Sequence, residues 1–275
     1  MYVIRLLIIT VMFLGMSAPF SVLPADSEAE PLILPGEKLR YSMYLFGRLL
    51  KVGEAEFTTA EQDQDGRALY IFTGSGTGGY LFYTVVMTLR SITDQHTQKP
   101  LTFEHLQSGF EKRCRKLVFD WDNESVVYYR KKNLRDDYYI KAVSPISSDT
   151  RDILSTVYFA RSMPPEIGSS QVMRFIEKRD IWTVSITVKD KQPLALQGDK
   201  KVNALLLSIR PHHDLHEGNE VLRALFSGRK EIGLWVSEKY RIPLMIEGNL
   251  PYKWLPIPFS IILTEWQPAD RVETE

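Results

Sequence analysis

From residue 39 the chain alternates apolar and polar positions with period two: Leu39, Tyr41, Met43 and Leu45 fall on one side, Arg40, Ser42 and Tyr44 on the other. Successive side chains of a strand point to opposite faces, so this spacing predicts a half-buried strand. The same pattern predicts strands over residues 51–60 and 68–74 with a turn at Asp63 to Gly66, and a hairpin of 113–121 with 125–131 around Asp122, Asn123 and Glu124. Further strands are predicted over 171–178, 182–189, 202–210, 231–237, 242–247 and 259–266. Residues 78–89 fit either a short buried helix or a bent strand. One helix is predicted: Ser147, Ser148 and Asp149 offer capping oxygens, Ile153, Leu154, Val157 and Tyr158 recur at helical spacing, and Pro164 and Pro165 stop it. Roughly ten strands around one or two short helices, without strand–helix alternation, predict a mainly β fold. The expected architecture is one large curved antiparallel sheet or open β-barrel, a single β-rich domain over residues 37–268 with a polar tail at 269–275.

The first residues follow another pattern. Arg5 precedes an apolar run from Leu6 to Met16, and small or turn-forming residues follow at Ala18, Ser21, Pro24 and Ala25. A charged, then apolar, then small-residue order marks a secretory signal peptide, and the run is short for a bilayer span. Cleavage is expected near Ala25; Ala18 is the weaker alternative because Pro19 would follow the cut. Residues 26–36, acidic and proline-bearing, read as a flexible lead-in.

Composition narrows the picture. Without residues 1–25 the 275-residue chain is 250 residues long, with 33 basic and 34 acidic side chains. That balance lacks the basic footprint of a nucleic-acid binder. Cys114 is the one cysteine, so no internal disulfide can form and the core must hold the fold. No cysteine lies near Ala25, which argues against a lipid anchor. No second apolar run of eighteen or more residues occurs, so no helical span is expected after the signal. A membrane-spanning barrel is disfavoured by the charge in 113–121 and by the polar terminus. Asn123-Glu124-Ser125 matches a glycosylation acceptor, relevant only in a eukaryotic host.

Each chemical candidate has a plainer reading. His212, His213, Asp214, His216 and Glu217 carry metal-ligating groups, yet Pro211, Gly218 and Asn219 around them mark a polar loop. Gly74, Gly76, Gly78 and Gly79 lack the lysine and hydroxyl of a phosphate loop and read as a sharp strand exit. Ser75, between two of these glycines, lacks the spacing of a nucleophile elbow. Cys114 stands between Arg113 and Arg115, but alternation sends both arginines to the face opposite the sulfur, leaving a core residue. Asp136 and Asp137 diverge on a strand, and Asp149 and Asp152 suit helix capping better than acid–base work. No catalytic, cofactor-binding or metal site is assigned. The aromatic load, thirteen Tyr, thirteen Phe and five Trp, either fills the core or lines a cavity for an apolar ligand.

Four segments taken in order carry a resemblance. They are Pro35-Gly36-Glu37-Lys38-Leu39-Arg40-Tyr41 with Gly53 downstream, Lys99-Pro100-Leu101-Thr102-Phe103, Asp152 to Arg161, and Leu234 to Leu244. Together they resemble the bacterial exported family known as domain of unknown function 3108, over nearly all of the chain after the signal. The resemblance implies a periplasmic or outer-envelope protein of mainly β structure and carries no catalytic residues. One departure is visible, because Glu238 and Tyr240 flank Lys239 where an aspartate is expected. Pro243 cannot donate a ladder hydrogen bond, so its strand is expected at an edge or a bulge. The leading functional expectation is a non-enzymatic envelope protein that binds an amphiphile or an envelope partner on a concave sheet. The alternatives are a hydrolase of cell-wall or polysaccharide material and a structural partner in an envelope assembly.

Overall fold

The computed structural model describes residues 33–80, 83–110, 112–196, 201–211, 231–252 and 255–268. Fifteen strands form one sheet in the order β8-β7-β6-β5-β4-β3-β2-β1-β15-β14-β13-β12-β11-β10-β9. The first, β1 (Lys38–Leu45), pairs antiparallel with both β2 (Leu50–Gln64) and the last, β15 (Leu255–Gln267). Chain neighbours then pair outward as hairpins. One wing runs through β3 (Arg67–Tyr80), β4 (Tyr83–Asp94), β5 (Pro100–Gly109), β6 (Arg113–Asp120) and β7 (Ser125–Lys131) to β8 (Tyr139–Pro145). The other runs through β14 (Pro243–Tyr252), β13 (Ile232–Ser237), β12 (Lys201–Pro211) and β11 (Asp180–Ala195) to β10 (Ser170–Glu177). The two-residue β9 (Thr150–Arg151) lies parallel to β10. The sheet is therefore open, with its two edges, β8 and β9, adjacent in sequence.

Turn chemistry sets the hairpins. Asp65 and Gly66 both have positive φ (56° and 77°), and Asp63 Oδ1 accepts the Gly66 N–H at 3.0 Å, as a two-residue turn matched to strand twist requires. Register shifts at Arg40/Tyr41, Met43/Tyr44, Ile92/Thr93, Tyr128/Tyr129, Val188/Asp190 and Trp235/Val236 mark bulges, which strengthen local twist and curl the sheet.

The single helix among the described residues, α1 (Ile153–Ala160), follows β9 directly and enters the curl, packing on β3, β4 and β10. Its N-cap is Asp152, whose Oδ1 accepts from the N–H groups of Leu154 (2.8 Å) and Ser155 (3.0 Å). The expected capping by Ser147, Ser148 and Asp149 is thus displaced. Ser147 and Asp149 form a turn instead, with Asp149 held by Arg174 at 2.8 Å. Ile153, expected on the buried face, is exposed, while Leu154, Ser155, Thr156, Tyr158 and Ala160 are buried. A helix enclosed by sheet on several sides has no single apolar stripe, which is why the periodicity misplaced it.

Three apolar clusters fill the fold. One joins β1 and β15 to Trp235, Tyr240 and Ile242. A second joins Ala160 and Met163 to β10–β13. The third puts Leu154 and Tyr158 against Phe72, Phe103, Leu117 and Tyr128. The aromatics stack on one another: Phe72 and Tyr158 have centroids 3.8 Å apart, and Tyr41 meets Phe57 edge-on at 5.6 Å.

One expectation is corrected here, and two open alternatives are decided. The glycine run is no strand exit: Gly74 to Gly79 continue β3. A Cβ at Gly74 would stand 2.7 Å from Phe57 Cε1 and 3.7 Å from Leu154, so glycine lets an aromatic ring and α1 lie against the strand. Residues 78–89 resolve as the end of β3 and most of β4, with no helix among those described. Pro243 does start a strand at a register shift, but β14 lies between β13 and β15, away from either edge.

Candidate functional site

Two regions gather polar side chains: a buried node inside the curl and a groove on the outer face. The node is built from the sequence segments that carry the family resemblance. Arg161, just past α1, donates from Nη1 and Nη2 to the two carboxylate oxygens of Glu37, and both side chains are fully buried. Burial works against the Arg161 charge, but Glu37 opposite keeps the guanidinium above its ordinary value. Tyr158, raised by burial and then by Glu37, accepts a hydrogen bond from Thr59 Oγ1 at 2.9 Å. Tyr41 donates to the Pro243 carbonyl at 2.8 Å, and Arg241 donates to the Met163 carbonyl at 3.2 Å. Three of the four recurring segments therefore meet in one fastening that holds α1 to β1 and to the β13–β14 turn. Asp152, pushed up by burial, is anchored to β4 by Ser91 at 2.7 Å. Fully enclosed groups of this kind position elements.

The groove is open. Cross-strand register places Glu265 (β15), Arg40 (β1), Glu56 (β2), Ser75 (β3) and Thr88 (β4) in one row. A second row holds Ser42, Glu54, Thr77 and Val86, and beyond it lie Tyr44 and Lys51. Strand alternation points the two rows away from α1 and the interior clusters, while Tyr44, past the register shift, packs against the first cluster. These residues line a groove of about 650 Å³. Arg40 bridges Glu56 (2.8 Å) and Glu265 (2.7 Å), and these hydrogen bonds raise its guanidinium further. Lys51 meets Glu54 at 2.6 Å. The lining is thus hydroxyl-rich, and its two cations, Arg40 and Lys51, engage its three carboxylates, Glu54, Glu56 and Glu265. Glu56 and Glu265 each give one carboxylate oxygen, Oε2, to the same guanidinium.

The residues singled out in the sequence scatter. Ser75 is exposed in the groove, in the middle of β3. Cys114 is buried, its thiol pushed up by burial, and shares an outward row with Leu106 and Lys131. Tyr138 hydrogen-bonds Glu104 at 2.7 Å across that face. Arg113 and Arg115 point inward, as alternation requires, so Cys114 is buried outside the three interior clusters. Asp136 caps its own loop through Asn133 at 2.9 Å, and Asp137 is exposed. Glu238 pairs with Lys191, and Lys239 sits 5.2 Å over the Tyr240 ring, so this turn is tied into the fold. The candidates His212, His213, Asp214, His216 and Glu217, the segment 1–25 expected to be a signal peptide and the tail 269–275 lie outside the described residues.

Sequence reasoning missed Glu56 and Glu265 as partners of Arg40. Arg40 sits inside a recurring segment, but its carboxylates are 16 and 225 residues away and only strand pairing unites them. Among the described residues no helix is long and apolar enough to cross a membrane.

Comparison with known proteins agrees with this architecture. No curated protein matches the chain. Among solved structures, a crystal structure of a β-barrel-like protein of domain of unknown function DUF1849 from Brucella abortus superposes with a TM-score of 0.51. It covers 86% of this chain and 99% of that one at 8% identity, a likeness of fold. The family model described as "Protein of unknown function (DUF3108)" matches residues 40–252, most of the molecule, and the chain belongs to that family.

Proposed function

We propose that this chain is a non-enzymatic protein of the bacterial cell envelope that holds a polar ligand or partner in the outer groove across β15 and β1–β4. The carrying observation is the contrast between the two faces. The interior at α1 is filled by stacked aromatics and a buried ion pair, whereas the outer groove of about 650 Å³ stands open. An acyl chain seeks apolar walls; Ser42, Ser75, Thr77 and Thr88, beside carboxylates already engaged by Arg40 and Lys51, offer hydrogen bonds. A neutral, hydroxyl-bearing molecule such as an envelope saccharide suits that lining. The charged, apolar, small-residue order of residues 1–25 supports export, and the lack of a cysteine directly after Ala25 supports release rather than a lipid tether.

The test is binding of purified protein to a panel of envelope saccharides, with Ser75→Trp filling the groove. Saturable binding lost in Ser75→Trp is expected. Binding that survives the substitution removes the groove, and no binding to any saccharide removes the ligand class. Cell fractionation checks the location: an uncleaved cytoplasmic chain would end the envelope reading. Glu56 and Glu265 in one groove also favour a second reading, glycoside hydrolysis. It requires turnover of an aryl glycoside that disappears in Glu56→Gln.

A further inference from the structure

Two buried arginines flank α1, and the fold treats them differently. Arg161, just past its end, places two guanidinium nitrogens on the Glu37 carboxylate. Arg151, the last residue of β9, stands directly before the Asp152 cap and is 9% exposed. Its Nε and Nη1 are enclosed and, among the described residues, meet no hydrogen-bond partner. The carboxylates nearest in sequence are already engaged. Asp152 accepts from Ser91, Leu154 and Ser155, and Asp149 from Ser147 and Arg174. Burial lowers the Arg151 guanidinium from its ordinary value, although the charges of Asp152 and Asp149 work to raise it. Its carbon lies 4.4 Å from the centre of the Phe159 ring. A ring face attracts the charge but supplies no oxygen to the N–H donors.

Register brings a second unpaired donor to the same row. Arg151 is level with Phe175 of β10, and Phe175 is level with Trp182 of β11. Level residues on neighbouring strands take the same face, so the three side chains stand side by side. The rings of Phe175 and Trp182 stack with centroids 6.4 Å apart. Trp182 is 2% exposed, yet its Nε1 also lacks a partner among the described residues. Buried polar groups are hydrogen-bonded as a rule, and buried charges are paired. An enclosed cation and an enclosed indole N–H on one row are donors that await an acceptor. Among the described residues β9 is the last strand of the sheet, so no further strand covers the row at its Arg151 end.

We propose that Arg151, with Trp182 Nε1 as a second donor, forms a carboxylate seat at the β9 edge. A carboxylate presents two oxygens to the planar donors of a guanidinium, and its single negative charge matches the single cation. A more highly charged anion would bring charge that this apolar row does not balance. The carboxylate could belong to a small ligand or to this chain, whose sequence ahead of Ile33 carries Asp26, Glu28 and Glu30. Ile33 and Phe159 line the same small cleft. The seat lies apart from β15 and β1–β4 and holds or fails independently of the outer groove.

The full chain, labelled with nitrogen-15, is titrated with sodium acetate and, separately, with sodium chloride at equal ionic strength. The Arg151 Nε–H and Trp182 Nε1–H resonances, assigned through space from the Phe159 and Phe175 rings, report on the seat. Saturable shifts of both are expected with acetate and not with chloride. The affinity should be about tenfold weaker in Trp182→Phe, the loss of one hydrogen bond. Arg151→Met replaces the cation by an apolar side chain, and the indole shift should vanish in it. Arg179→Gln, which removes an exposed cation of the β10–β11 turn, should leave the titration unchanged. If a buried variant fails to fold, the acetate and chloride titrations of the unaltered chain decide. The triple variant Asp26→Asn/Glu28→Gln/Glu30→Gln separates the sources. Acetate shifts that are the same with and without these carboxylates assign the seat to a ligand. An unaltered chain indifferent to acetate, with a triple variant that binds it, assigns the seat to the chain's own carboxylate. Indifference in both proteins, equal shifts with chloride, or an indole shift that persists in Arg151→Met overturns the seat.

Discussion

At the residue scale, the fold depends on charges placed where no water reaches them. Glu37 and Arg161 are each fully buried, so removing one leaves the other without compensation. Arg161→Met should therefore cost about 3–5 kcal/mol in urea unfolding, while the double variant Glu37→Leu/Arg161→Met should recover most of the loss. A double variant as unstable as the single one would mean that the pair does more than neutralise itself. Asp94 shows the opposite balance. Burial would raise its carboxyl, but Thr97 and Arg67 hydrogen bonds overrule that and hold it at about 2 against an ordinary 3.8. A depressed carboxyl stabilises the fold above its unfolded value and loses that contribution as pH falls through the folded one. Asp94→Asn should destabilise by about 1–2 kcal/mol at pH 7, and the gap to wild type should close between pH 3.8 and about 2. Urea midpoints across that window check it. Asp152 and Asp149 mark how far sequence reading reaches at this scale. Both are carboxylates at the start of a helix, and only the path of the chain into the sheet decides which one caps.

At the element scale, β3 and α1 are made for each other. The glycines at 74, 76, 78 and 79 suggested a break because strand interiors rarely hold them, yet the ring of Phe57 lies where a Gly74 side chain would be. Gly74→Ala should cost about 1–3 kcal/mol by overpacking, and adding Phe57→Leu should restore part of it. Thermal unfolding distinguishes this from a simple gain in strand propensity, which would stabilise the single variant. The same logic explains Pro243. Its missing N–H pointed to an edge or a bulge, and the register shift at Trp235/Val236 absorbs it at the start of a central strand. Strands β5 and β8 escaped the sequence pattern altogether. β8 exposes Tyr139, Ile140 and Val143, and β5 mixes half-buried residues on both faces, so neither alternates cleanly.

At the scale of the whole molecule, the first and last strands pair in the middle of the sheet and its free edges come from the middle of the chain. Among the described residues β8 therefore has an unpaired outer edge, and its amides should exchange hydrogen much faster than those of β1, which is paired on both sides. Hydrogen exchange read strand by strand checks this. Equal protection would mean that β8 is covered in solution. The sequence by itself determined the composition of the fold: period-two apolar spacing, turn residues such as Asp65 and Gly66, and one capped helix lead to a single curved antiparallel sheet, because these signals are local. Tertiary structure alone decided what meets across it. Arg40 finds Glu265 across 225 residues, Arg161 finds Glu37 across 124, and Arg115 finds Glu177 where the sheet fails to close. Alternation tells which face a side chain takes, but register and curl, set by bulges and by α1 within, decide which distant side chains share that face.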